Sequence, residues 1–345
     1  MSVEELTDEK VSPELRVAIL GIGGAGSNIL RDVISGGINP RNCVAVNTDR
    51  NQLSASQAQN KVLLTETMPA SGGLALGESN QVRMLAHRVS PFTRESDFTI
   101  LLTGLGGATG TFAGPAIAQL NRNKMQPVIS VVTLPFIHER ERRFIALRGL
   151  KRMVESCDCT VVIDNSVKFT RTSHVGRGAD ETAGLAVRGL ADVVALASPT
   201  VSHRILSILR LGQVAILCAT NVNSTERIQS AVIDAFQTPS ANLSLSKAKG
   251  AVLLFRGSEP LSAGRAAHAY EAVASLVGHD VDFVQLTTIC QAKPSLSVFL
   301  TGYSCSMALG TFVDFIEGLY DMEYGGEPGS GETGLPVQLY QMEDA

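Results

Sequence analysis

Two glycine-rich stretches of this chain have the residue types and spacing needed to hold an anion. The first is GIGGAGSN, residues 21–28, directly after the apolar run RVAIL. Glycines let the backbone approach a phosphate closely, and the amides at a helix N-terminus supply donors and positive potential. Gly21, Gly23 and Gly26 also satisfy the dinucleotide pattern G-x-G-x-x-G in the strand–turn–helix setting which that pattern requires. The second stretch, TGLGGATGT at residues 103–111, follows the apolar run FTILL, and Pro115 is expected to open a helix after it. Its threonine hydroxyls add donors to the backbone amides, which suits a di- or triphosphate. Two such loops at the carboxyl ends of strands in one sheet face the same crevice.

Loops of this kind need a scaffold, and the hydrophobic pattern supplies one. Short apolar runs at 16–20, 43–46, 98–102, 127–132 and 160–163 read as strands, and 28–34, 81–89, 115–121 and 142–154 read as helices between them. Apolar strands alternating with helices imply a parallel sheet covered on both faces. A long helix is expected at 181–195 and an amphipathic one at 205–211. After these come strands at 214–218, 252–256, 283–288 and 297–301, with helices at 225–236 and 263–276. This second unit is of mixed type, and a final helix is expected at 307–320.

Composition bounds the function classes. The 345 residues are 44% hydrophobic and 18% charged, against roughly 25% charged in an average soluble protein. That excludes wholesale disorder and suggests two domains. The net charge of −4 argues against a nucleic-acid partner, but it is unevenly spread. Eight acids lie beyond the last base, Lys293; setting them aside leaves 25 acids against 29 bases, so a body of +4 carries an end of −8. That end contains EYGGEPGSGETG at 323–334, too polar to order itself, then a more apolar scrap, LPVQLY, from Leu335 to Tyr340. The acidic start has no apolar core of a secretory signal. The uncharged stretch 98–121 is too rich in glycine and threonine for a membrane span, so no transmembrane segment is expected. Six cysteines without zinc spacing read as free thiols in a reducing cytosol.

Further runs complete a pattern. AVNTD at 45–49 follows the second strand, with Asn47 and Asp49. GLALG occupies 73–77. VTLPF at 132–136 brings Pro135 and is followed by Glu139 and Arg143, which in isolation read as a helix-surface pair. Asn165 follows the next strand, and AVRGLA occupies 186–191. With GGATGT at 106–111, these runs resemble, in order and over roughly residues 15–302, the tubulin/FtsZ family of polymer-forming GTPases, and the prokaryotic FtsZ branch in particular. AKGAVL at 248–253 and VFLTG at 298–302 are similar to the family's later segments.

The resemblance implies an α/β fold: a Rossmann-like parallel-sheet GTP-binding domain, a long central helix, then a smaller α+β domain with a mixed sheet. It divides the chain into an extension at 1–14, a nucleotide-binding domain at 15–180, the central helix with the following loop and helix at 181–212, the α+β domain at 213–306, a terminal helix at 307–322 and a flexible acidic tail at 323–345. GTP or GDP, with Mg2+, is the implied ligand. Gly23, Gly24, Ala25, Gly26, Ser27 and Asn28, with Gly104, Gly106, Gly107, Ala108, Thr109, Gly110 and Thr111, would hold the phosphates, and Asn47, Asp49 and Pro135 would flank the nucleotide. Glu139 would contact the ribose, Arg143 the γ-phosphate side and Asn165 the guanine; the acid reading guanine from the central helix would be Glu181 or Asp180. The implied protein is cytoplasmic, assembles head to tail into filaments, and reaches a division site or membrane through partners docked on residues 335–340.

The chain departs from the family in three places. Ala108 and Phe112 replace glycines of the signature; alanine at a position needing φ > 0 costs about 1 kcal/mol, and Phe112 either crowds the phosphates or packs beneath the helix. No aromatic is evident to stack on guanine. The family's loop GxxNxDxxD enters the neighbouring subunit's site, and its acids polarise water. Here Ser198, Thr200 and His203 fall in those places, with no Asp or Glu between Asp192 and Glu226. His203 and Thr200 are the weak catalytic candidates, hydrolysis is expected to be slow, and a paralogue would be needed to supply the missing acids. The alternatives are a fully active dynamic FtsZ-type GTPase and a Rossmann NAD-dependent oxidoreductase, the latter supported only by Asp49.

Overall fold

The computed structural model describes residues 16–64, 80–122, 126–167, 179–196, 199–222, 227–237, 239–289 and 294–312. The extension, GLALG at 73–77, Ser198, Cys290 and the acidic tail with residues 335–340 therefore lie outside the described residues.

The chain alternates strand and helix from its first element. β1 (Val17–Ile22), α1 (Gly23–Ser35), β2 (Cys43–Asn47), α2 (Arg50–Ala55) and β3 (Asn60–Leu63) lead into α3 (Asn80–Thr93), β4 (Phe98–Gly104), α4 (Ala108–Arg122), β5 (Val128–Leu134), α5 (Arg140–Ser156) and β6 (Cys159–Asp164). α6 (Ala179–Leu196) and α7 (Pro199–Leu209) follow. Then come β7 (Val214–Asn221), α8 (Ile228–Gln237), β8 (Gly250–Gly257), α9 (Ala263–Val277), β9 (Asp282–Ile289) and β10 (Ser295–Tyr303). α2 and β3 have no counterpart among the sequence expectations: each is six residues or shorter, with too few apolar positions to show a period.

All ten strands join one sheet, in the order β3-β2-β1-β4-β5-β6-β7-β10-β8-β9. β3 to β7 run parallel, whereas β10 is antiparallel to both β7 and β8. The mixed strands thus extend the parallel sheet edge to edge. Alternate residues of β1 show why both faces must be covered. Val17 and Ile19 belong to the cluster on one face, with Ile29 of α1, Leu190 of α6 and Ile205 of α7, while Leu20 and Ile22 belong to the cluster on the other, with Ile117 of α4, Leu150 of α5 and Phe236 of α8. Every residue of β1, β2, β5 and β6 is buried, the signature of a two-sided parallel sheet.

β6 and β7 pair over only three residues, and Ser240 is the reason. Its hydroxyl donates to Val162 O (2.6 Å) and accepts from Leu217 N (2.9 Å), and its carbonyl accepts from Asp164 N (2.7 Å). The strands part around it, and Ser240 takes up backbone groups of both that the ladder drops.

The stretch 98–121 is strand β4 followed by α4, and no described helix is long and apolar enough to cross a membrane. Burial pushes the thiols of Cys43 and Cys157 up to about 12, which makes both inert as nucleophiles at neutral pH.

Candidate nucleotide site

The register aligns the carboxyl ends of the central strands: Ile22 of β1 lies beside Thr103 of β4, Gly104 beside Thr133 of β5, and Leu134 beside Asp164 of β6. β1 sends its chain toward β2 on one side, while β4 lies on the other. The crevice therefore opens where a doubly wound sheet reverses its strand order. A cavity of about 510 Å³ occupies it.

Two helices begin at this cavity, and both begin inside the glycine loops. α1 starts at Gly23 and α4 at Ala108, five and seven residues earlier than the sequence pattern indicates. Glycine, alanine and threonine carry no apolar period, so these first turns are invisible to it. Neither helix has an acid in its first turn, so the positive ends of both dipoles face the cavity uncompensated. Pro115 lies inside α4 and does not open it.

The loop before α4 is held by its own residues. Gly106 has φ of 93°, and a Cβ there would lie 2.6 Å from Arg142 O, so only glycine fits. Its N–H donates to the buried Thr111 Oγ1 (2.9 Å). Thr111→Val would strand that N–H and is expected to cost about 1–3 kcal/mol in urea denaturation. The positive φ thus sits at Gly106, while Ala108 is helical and carries no penalty. Phe112 turns away from the cavity and lines a separate recess of about 40 Å³ against Ile145 and Arg148 of α5.

Of the residues expected around a nucleotide, Gly23, Gly24, Ala25, Gly104, Gly107, Ala108, Thr109, Gly110, Pro135, Glu139 and Asn165 line the cavity. The others stand behind it or apart from it. Asn47 accepts from the N–H groups of Thr48 and Asp49, and Asp49 caps α2 by accepting from Asn51 N and Gln52 N. These two side chains shape a loop beside the cavity. Thr48 ties that loop to Thr109, hydroxyl to hydroxyl, at 3.2 Å. Gly26, Ser27, Asn28, Gly106 and Thr111 lie outside the lining, and Glu181 is exposed on the first turn of α6. Thr200 and His203 are exposed on α7 and do not reach this cavity.

Arg143 is not part of the cavity lining: it is 1% exposed and its guanidinium is bound end-on to Asp164. The arginine on the cavity wall is its neighbour Arg142, paired with Glu139. Glu139 also accepts from Phe136 N (3.0 Å), closing the turn that starts α5. Phe136 and His138, both on the wall, stack at 5.3 Å between ring centroids and 16° between planes. Nothing in the sequence pattern marks either ring for this wall.

Around the crevice, three buried side-chain atoms of the described residues have no hydrogen-bond partner: Asn165 Oδ1 on the lining, Ser27 Oγ in the first turns of α1 and Arg143 Nε behind the wall. Buried polar atoms are nearly always satisfied. An unsatisfied amide oxygen needs a donor and two helix N-termini suit an anion, so the cavity fits a ligand that carries both N–H donors and anionic oxygens, such as a nucleotide.

Sheet order, crevice and paired helix starts define a doubly wound α/β protein with a phosphate-type cradle. Residues 16–169 match the family model described as Tubulin/FtsZ family, GTPase domain. The chain is 28% identical over 312 residues to cell division protein FtsZ 1 of Methanocaldococcus jannaschii, covering 83% of this chain and 85% of that one. It superposes on the empty FtsZ dimer structure from M. jannaschii with a TM-score of 0.73 at 26% identity, covering 84% and 88% of the two chains. The GTPγS-bound protofilament of CetZ2 from Haloferax volcanii gives 0.67 at 20% identity, over 90% and 99%, a likeness of fold. Residues 16–169 thus match a tubulin/FtsZ-family GTPase domain, and the chain has the FtsZ/tubulin fold.

Proposed function

We propose that this chain binds a guanine nucleotide in the crevice, assembles head to tail with copies of itself, and turns the nucleotide over slowly. The observation that carries the reading is the convergence of two uncompensated helix N-termini on one cavity of about 510 Å³. In this reading the backbone amides at the starts of α1 and α4 hold the phosphates, and Arg142 supplies the cation. The Asn165 amide meets the purine edge, with the Phe136 and His138 rings beside it. Among the described residues no cluster of three His, Cys, Asp or Glu side chains could hold a metal ion. A Mg2+ ion would therefore bind chiefly through the phosphate oxygens.

Slow turnover follows from the start of α7. A carboxylate there would orient water in a neighbour's site, but the chain offers Thr200 and His203. Division or shape control, and partner docking through residues 335–340, complete the reading. Sedimentation with GTP, ATP, NAD or no nucleotide, with phosphate measured in the same tubes, tests it. GTP-dependent pelleting with little phosphate is expected. Rapid phosphate release would restore a dynamic GTPase, and pelleting indifferent to nucleotide would remove the reading.

A further inference from the structure

The cavity wall on the Asn165 side is built from two segments distant in sequence, 135–139 and 164–166, and one buried ion pair joins them. Arg143 Nη1 donates to Pro135 O (2.6 Å) and to Asp164 Oδ1 (2.9 Å), and Nη2 donates to Asp164 Oδ2 (2.5 Å). Asp164 Oδ1 also accepts from Ser166 N (2.9 Å). Ser166 Oγ accepts in turn from Ile137 N (2.7 Å), closing the circuit. Arg143 and Asp164 are each 1% exposed. Pro135, Phe136, His138, Glu139 and Asn165 of this wall line the cavity, and Asn165 sits directly between Asp164 and Ser166.

We infer that Arg143 and Asp164 act together as a positioning pair that fixes Asn165 against the 135–139 turn, and that Arg143 makes no contact with the ligand's phosphates. A bidentate guanidinium–carboxylate contact is strong and directional, and both terminal nitrogens of Arg143 are bound here from within the fold, with Nε alone left without a partner. Reaching the phosphates would require Arg143 to abandon Asp164, Pro135 O and a site from which water is excluded, leaving a bare buried carboxylate. Arg142 already places a guanidinium on the cavity wall. Asn165 needs such support: its Oδ1 is buried without a partner, so its orientation is set by the backbone on either side.

The inference rests on the guanine-nucleotide reading for its affinity arm, and a second arm does not need a ligand. In the full-length chain, Arg143→Met, Arg143→Lys and Asp164→Asn are compared with wild type by titration with GTP and with GDP. Each variant is expected to weaken both nucleotides by the same factor, about 10- to 100-fold, the usual effect of removing support behind a ligand-contacting group. Arg143→Lys, which keeps the charge on Asp164, is expected to lose least. A loss several-fold larger for GTP than for GDP would place Arg143 on the γ-phosphate and overturn the proposal, as would unchanged affinity for both. Amide hydrogen exchange at Ile137 and Ser166 is the second arm. Protection is expected to fall at both in Arg143→Met while the amides of β1 keep theirs; unchanged protection overturns the proposal even if wild type binds neither nucleotide.

Discussion

Gly110→Ala is expected to destabilise the chain by about 3 kcal/mol or more and to abolish nucleotide retention, whereas Gly107→Ala should leave stability unchanged. A Cβ at Gly110 would lie 2.2 Å from Gly104 O and 2.4 Å from Thr103 Oγ1. The first obstacle is backbone at the end of β4. The second is a buried hydroxyl that reaches toward Ile22 O of β1 (3.4 Å). Neither can swing aside, so α4 must back away from the sheet at the point where its amides face the cavity. Overpacking a well-filled core usually costs 1–3 kcal/mol, and contact with fixed backbone places this case at the upper end or beyond. At Gly107, three residues earlier, an added methyl meets nothing within 4 Å. Urea denaturation and nucleotide titration of both variants check the contrast. Equal stability of the two would mean that α4 is not seated against β4 as described.

That contrast also shows where the sequence is legible. The two glycine loops stand out by composition, and the strands before them by hydrophobicity, because a parallel strand buried on both faces must be apolar at every position. The order of the strands and the crevice follow from the alternation. What composition hides is the first turn of each helix, since Gly23, Gly24 and Ala25, or Ala108, Thr109 and Gly110, look like loop. Side-chain direction is hidden more deeply. Arg142 and Arg143 are adjacent in sequence but about 100° apart around α5. Which of them meets the cavity depends on Asp164, more than 20 residues away, and on the turn closed by Glu139. A motif gives a residue its place in the chain and leaves its rotamer to partners that the motif does not contain. Asn47 and Asp49 repeat the lesson, because the same AVNTD run that suggested contact with a nucleotide supplies an amide clamp and a helix cap.

Asp164→Ala is expected to cost about 3–5 kcal/mol, because it leaves the Arg143 guanidinium buried with Pro135 O as its only remaining hydrogen-bond partner among the described residues. The exposed Arg204–Asp282 pair has side chains 53% and 34% exposed, so breaking it should change stability little. The comparison turns on desolvation rather than on distance, since an exposed arginine that loses its acid recovers water and Arg143 does not. Removing both charges tests this directly. In Arg143→Met/Asp164→Leu no uncompensated charge remains, but Pro135 O loses the Arg143 donor and Ser166 N the Asp164 acceptor, at about 1–3 kcal/mol per group left unsatisfied. The double variant should therefore be no less stable than Asp164→Ala alone, and far more stable than the sum of the two single losses. Urea denaturation of wild type, both singles and the double measures that coupling, and raising the salt should barely change it because solvent ions do not reach the pair. Additive single losses would mean that the two side chains act independently, and the wall around Asn165 would then have to be held by Ser166 and Ile137 without them.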